Sequence, residues 1–158
     1  MWNQLRIERT GDGDYALRLP EGERELLRRL PEELRSVLEL APEDPALRRL
    51  FPRTYEDDQD EAAYQELMGD ELLNGRRRAL QVLAETAEAD RLTAEQAQAW
   101  LTALNDLRLV LGTRLEVSED SLLGDLPEDD PRAPDLALYA YLSWLQEQLV
   151  EALSSELA

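Results

Sequence analysis

Cysteine, histidine and lysine are all missing from this chain of 158 residues. Without cysteine it has no thiol nucleophile, thiolate metal site or disulfide, and nothing marks its redox compartment. Without histidine the commonest general base and transition-metal ligand is gone. The absence of lysine removes the Gly-x-x-x-x-Gly-Lys phosphate loop, and no Gly-x-Gly-x-x-Gly follows a strand. No serine sits in a Gly-x-Ser-x-Gly elbow, and none has an imidazole to activate it. No cofactor, metal site or catalytic residue is therefore expected. Long apolar runs are lacking too. Nothing approaches the ~20 residues a membrane span needs, and Met1-Trp2-Asn3-Gln4 does not open a secretory leader. A cytoplasmic location away from membranes is the expectation. All 17 basic residues are arginine, against 35 Asp and Glu, for a formal charge of −18. Such a balance repels nucleic acid, so direct binding to it is not expected.

What is present argues for helices. Apolar residues make up 43% of the chain, enough for a core, and leucine and alanine far outnumber the β-branched residues that strands favour. The first 19 residues are the exception. Leu5 and Ile7 alternate with Arg6 and Glu8, and Tyr15, Leu17 and Leu19 alternate with Ala16 and Arg18, around Thr10-Gly11-Asp12-Gly13-Asp14. That pattern predicts a β-hairpin. Helices follow over about 21–40, kinked or split by Pro31, and over a short segment opened by Asp44-Pro45 as cap and first turn. One more starts near Asp58 and breaks at Gly69-Asp70, before the next covers about 70–88. Thr93 and Gln96 form a capping box for a helix reaching about Leu115, and the last helix spans about 133–155. Residues 116–133, rich in acids and proline, read as an acidic loop. The expected fold is mainly α: a single-domain helical bundle of about five to six helices, residues 1–158, with an N-terminal β-hairpin.

Candidate chemistry is sparse. Asp57, Asp58, Asp60 and Glu61 offer oxygen ligands for a hard cation, but acids at a helix start also cap it and suit its dipole. Asp125, Glu128, Asp129 and Asp130 read as solvated loop charges. On the helix over 94–115, Ala97, Trp100, Leu101, Leu104, Leu107, Leu111 and Leu115 share an arc of roughly 120°, and Arg108 points into its middle. A guanidinium there pairs with a carboxylate from another element or serves a ligand. Arg114, at the edge of the arc, reads as a salt bridge. On the last helix Tyr141, Trp144 and Gln148 form a second line beside the leucine stripe. That line marks either a helix buried on two sides or an interface with a protein partner or a second copy. Trp2 adds a third aromatic whose place stays open.

Four segments carry a resemblance. Asn105-Asp106-Leu107-Arg108-Leu109-Val110-Leu111-Gly112-Thr113-Arg114-Leu115 with the acidic loop after it, Tyr141-Leu142-Ser143-Trp144-Leu145-Gln146-Glu147, Pro45-Ala46-Leu47-Arg48-Arg49-Leu50-Phe51-Pro52, and the hairpin ending in Leu17-Arg18-Leu19 occur in order along nearly the whole chain. Together they resemble an actinobacterial domain family of unknown function. The resemblance implies genes often encoded beside the ClpS-type adaptor of a proteolytic system, and some members described as redox-dependent stress regulators acting with a sigma factor. That redox role depends on cysteines, which this chain lacks, so no thiol switch carries over. Asn105, Asp106, Arg108, Thr113, Arg114 and Trp144 are signature positions without an assigned role. The functional expectation is a non-enzymatic cytoplasmic protein that acts through protein contacts, as a regulatory or adaptor subunit linked to stress response or proteolysis. The alternative is a small-molecule or metal-binding domain, or a carboxylate-based enzyme, built on Arg108 and a nearby acid.

Overall fold

The computed structural model describes residues 5–41, 44–50, 56–115 and 131–155. Among them the fold is mainly helical with an N-terminal β-hairpin, as the composition predicts. Strands β1 (Ile7–Arg9) and β2 (Tyr15–Leu17) pair antiparallel, Ile7 opposite Leu17 and Arg9 opposite Tyr15. Gly13 turns the chain at φ 90°, a conformation glycine adopts without a Cβ clash. Tyr15 and Leu17 face inward, but the alternation fails at the start. Leu5 is 47% exposed, whereas Arg6 is 6% exposed. Arg6 precedes the strand and turns its guanidinium onto Glu23, so pairing overrides the period-two pattern.

Helix α1 (Glu21–Leu40) runs through Pro31 as one helix, with the ring buried, so of the kink or split expected there the split does not occur. Asp44 caps a 3-10 turn, Pro45–Leu47, by accepting a hydrogen bond from the Ala46 amide at 2.8 Å. Helix α2 (Asp58–Thr86) corrects the sequence reading, because it is one helix of 29 residues and continues through Gly69. Its cap is Asp57, whose carboxylate accepts from the Gln59 and Asp60 amides. A two-residue strand that the sequence does not announce, β3 (Arg91–Leu92), extends the sheet along β2. Helix α3 (Ala94–Arg114) opens with the predicted capping box of Thr93 and Gln96, and α4 is Ala133–Ser154. The acids of the 116–130 segment, with Phe51, Pro52 and Trp2, lie outside the described residues.

Helix α3 packs between α2 and α4, α1 lies against α2, and β1 rests on α4. Trp100, fully buried on α3, donates its indole N–H to Thr86 Oγ1 at 2.6 Å. One side chain of α1 reaches several backbone segments around the hairpin. Arg24 donates to the carbonyls of Leu17, Leu19, Ala87 and Ala89, so a single guanidinium joins β2, α1 and the turn before β3. Five donors in a rigid fork make that junction possible for arginine. None of the described helices is long and apolar enough to cross a membrane.

Candidate functional site

The signature residues lie where α3 meets its two neighbours. α3 and α4 run antiparallel. Gly112 lets the helices approach so closely that a Cβ there would stand 3.0 Å from the Tyr139 ring, and Gln146 Nε2 stands 3.5 Å from Asn105 Oδ1 further along. Apart from Gly112, which has no side chain, the buried face of α3 takes in Ala97, Trp100, Ala103, Leu104, Asp106, Leu107, Val110 and Thr113. At ~100° per residue this is an arc of roughly 200°, wider than one leucine stripe, because α2 covers one side and α4 the other. Its centre is therefore rotated away from Arg108, which falls at one border, while Asp106 falls near the other.

On the α2 side, Asp106 is 1% exposed and pairs with Arg76, whose other terminal nitrogen donates to the Leu50 carbonyl at 2.9 Å. Burial pushes the Asp106 carboxyl above its ordinary range, with the Arg76 hydrogen bond opposing. The second oxygen, Oδ2, is buried and accepts no hydrogen bond. The buried carboxylate of α3 is thus paired with Arg76 and not with Arg108. No carboxylate of the described residues reaches Arg108, whose single hydrogen bond goes from Nη2 to Asn105 Oδ1 at 3.3 Å. Thr113 is buried and returns its hydroxyl to the Leu109 carbonyl at 2.8 Å. Arg114 stands 3.9 Å from Asp44, tying the end of α3 to the cap of the 3-10 turn.

On the α4 side, the Tyr141–Trp144–Gln148 line meets the hairpin. Tyr141 is buried and donates its hydroxyl to Glu23 Oε1 at 2.8 Å. Burial first, and the Glu23 carboxylate second, push this phenol far above its ordinary value. Glu23 also holds Arg6 by two bonds of 3.0 Å, which raises the Arg6 pKa. The Arg6 guanidinium covers the Trp144 ring at 5.3 Å from its centroid, a cation–π stack. Gln148 Oε1 accepts the backbone N–H groups of Arg6, at 2.6 Å, and Ile7. Of this line, Trp144 and Gln148 remain half-buried and reach a surface cleft that also meets Arg108, Ser143, Gln146 and Glu147. The reading of single helices missed Arg6, Glu23, Arg24 and Arg76. Their partners are distant in sequence, and an arginine on its own helix looks solvated.

A family described as a domain of unknown function, DUF2017, matches residues 4–153. The AosR protein of Mycobacterium leprae is 38% identical over 130 residues, covering 71% of this chain and 59% of its own length. The oxidative stress regulators AosR of Mycobacterium bovis and Mycobacterium tuberculosis are 37% identical over 127 residues, covering 69% of this chain and 58% of theirs. The chain thus spans under two thirds of the length of these relatives. No solved structure matches it. With the match running from the hairpin to the last turns of α4, the chain belongs to the DUF2017 family, a domain of unknown function.

Proposed function

We propose that this chain is a cytoplasmic, non-enzymatic regulatory domain linked to the stress response, working through contacts with another protein. The observation that carries the reading is its similarity, over 71% and 69% of its length, to proteins named as AosR or oxidative stress regulators. The side-chain chemistry supports it: Arg6–Glu23, Arg76–Asp106 and Tyr141–Glu23 each join one element of the fold to another. No cysteine occurs in these 158 residues, so an oxidant cannot act on them through a thiol or a disulfide. The half-buried Trp144 edge and the exposed Val150 beside it are the contact surface in this proposal.

The test is affinity capture from the native organism before and after peroxide, read by mass spectrometry, together with deletion of the gene. The expected result is one partner that wild-type protein retains and Val150→Asp loses, and an altered transcript response to peroxide in the deletion strain. An unchanged response would remove the regulatory reading. A protease as the captured partner would replace it with an adaptor role in proteolysis.

A further inference from the structure

Acids outnumber arginines two to one in this chain, 35 against 17, so an arginine removed from bulk water finds a carboxylate easily. Among the described residues Arg6, Arg24, Arg35, Arg76 and Arg77 do so, each within 4 Å of Glu or Asp. Arg108 is half-buried, and no carboxylate of the described residues reaches it. Its Nε is buried without a hydrogen-bond partner, as are Ser143 Oγ and Gln146 Oε1, and all three residues line the cleft between α3 and α4. Buried polar atoms without partners are few in native proteins, and each requires a cause. Three gathered at one opening point to something that completes the set.

The cleft encloses about 590 Å³, within the range of small-ligand sites. Trp144 forms its aromatic wall, fixed by the Arg6 guanidinium that covers the ring. The antiparallel pairings of Gly112 with Tyr139 and of Asn105 with Gln146 set Arg108 level with Ser143. Glu147 and Glu151 line the same cleft and are exposed, and neither has an ion pair among the described residues. They follow Ser143 by one and two turns of α4, about 6 and 12 Å at ~1.5 Å per residue. A positive group therefore stands at one end and two negative groups at the other. A dianion such as phosphate is repelled by the glutamates, and a simple cation leaves Arg108 unmatched. An α-amino acid is too short to reach both ends. A chain of two to four residues, at ~3.3–3.6 Å each, spans them.

We propose that the α3–α4 cleft binds a short peptide by both termini, its carboxylate on Arg108 and Ser143, a backbone N–H donating to Gln146 Oε1, its ammonium on Glu147 and Glu151, and its backbone along Trp144. This proposal does not depend on the regulatory reading, because its readout is binding alone.

The test uses the full chain, labelled with nitrogen-15, and follows the Arg108 Nε–H and Trp144 indole N–H signals during titration with triglycine. The expected result is saturable movement of both signals. N-acetyl-triglycine, without the ammonium, and triglycine amide, without the carboxylate, should each bind at least about tenfold more weakly, the scale of one lost charged contact. Arg108→Gln should weaken triglycine by a similar factor. Silence of both signals with triglycine would overturn the proposal. So would equal binding of either blocked form, or inorganic phosphate binding as well as triglycine. If Arg108→Gln fails to fold, the exposed double variant Glu147→Gln with Glu151→Gln decides the matter, since unchanged triglycine affinity there also overturns it.

Discussion

Asp106 shows how one residue sets a pH dependence. Its carboxyl is buried beside Arg76, and burial outweighs the pairing, so its pKa lies above the ordinary 3.8. A raised carboxyl keeps its proton in the folded chain at a pH where the unfolded chain has released it. Its contribution to stability is present below the unfolded pKa and is lost as pH rises through the folded one. Asp106→Asn does not titrate. The stability gap between wild type and this variant should therefore narrow from about pH 4 to about pH 7 in chemical denaturation; a widening gap would reverse the assignment. Asp106→Ala should cost about 2–3 kcal/mol at neutral pH, the scale of a hydrogen bond to a charged group, because Arg76 can turn to water. The sequence offered Arg108 instead, since a single leucine stripe placed it at the centre of the buried arc. The stripe was visible. Its second half, made of Ala103, Asp106, Val110 and Thr113, contains too many small or polar residues to announce itself as a buried face.

Elements were legible where local chemistry decides them. The Gly-Asp-Gly turn, the Asp44-Pro45 start and the Thr93–Gln96 box each satisfy backbone groups on the spot, and each stands where predicted. Breakers inside helices need not end them, because tertiary packing repays their cost. Gly69 and Pro31 both sit within continuous helices. Two glycines separate packing from propensity. A Cβ at Gly75 meets nothing within 4 Å, so Gly75→Ala should gain about 0.5–1 kcal/mol by helix propensity. At Gly112 the same Cβ stands 3.0 Å from Tyr139 and 3.3 Å from Arg49, so Gly112→Ala should be at least about 1 kcal/mol less stable than Gly75→Ala. Equal thermal shifts for the two would show that α3 and α4 have slack. β3 was invisible because two residues carry no period, and it is held through Arg24. Arg24→Met should raise amide exchange at β1, β2 and residues 87–92 while α3 and α4 stay protected. Uniform loss of protection would make the latch a global support rather than a local one.

The charge of the whole molecule was the property most directly legible, and its consequences need no side-chain detail. The three adjacent arginines that most resemble a basic patch are dispersed by the fold: Arg76 goes to Asp106, Arg77 faces Glu39 at 3.9 Å, and Arg78 stays exposed. Among the described residues these three arginines leave no stripe of cations for a duplex. Random double-stranded DNA should show no binding in the micromolar range at ~150 mM salt, and a sub-micromolar complex in fluorescence anisotropy would refute this. The same excess of acid acts on the protein itself. Several of the ion pairs join exposed partners, as in Arg18–Glu8, Arg29–Glu33 and Arg91–Asp12, and pairs of that kind contribute about 0–1 kcal/mol each. Mutual repulsion among 18 uncompensated negative charges opposes the compact state over longer distances. Raising sodium chloride from ~10 to ~300 mM shortens the screening length severalfold and weakens both effects. Repulsion is the larger, so the melting temperature should rise by about 3–6 °C across that range, the size of a 1–2 kcal/mol gain in a chain of this length. Thermal unfolding followed by circular dichroism measures it. A fall with added salt would mean that the local ion pairs outweigh the net charge.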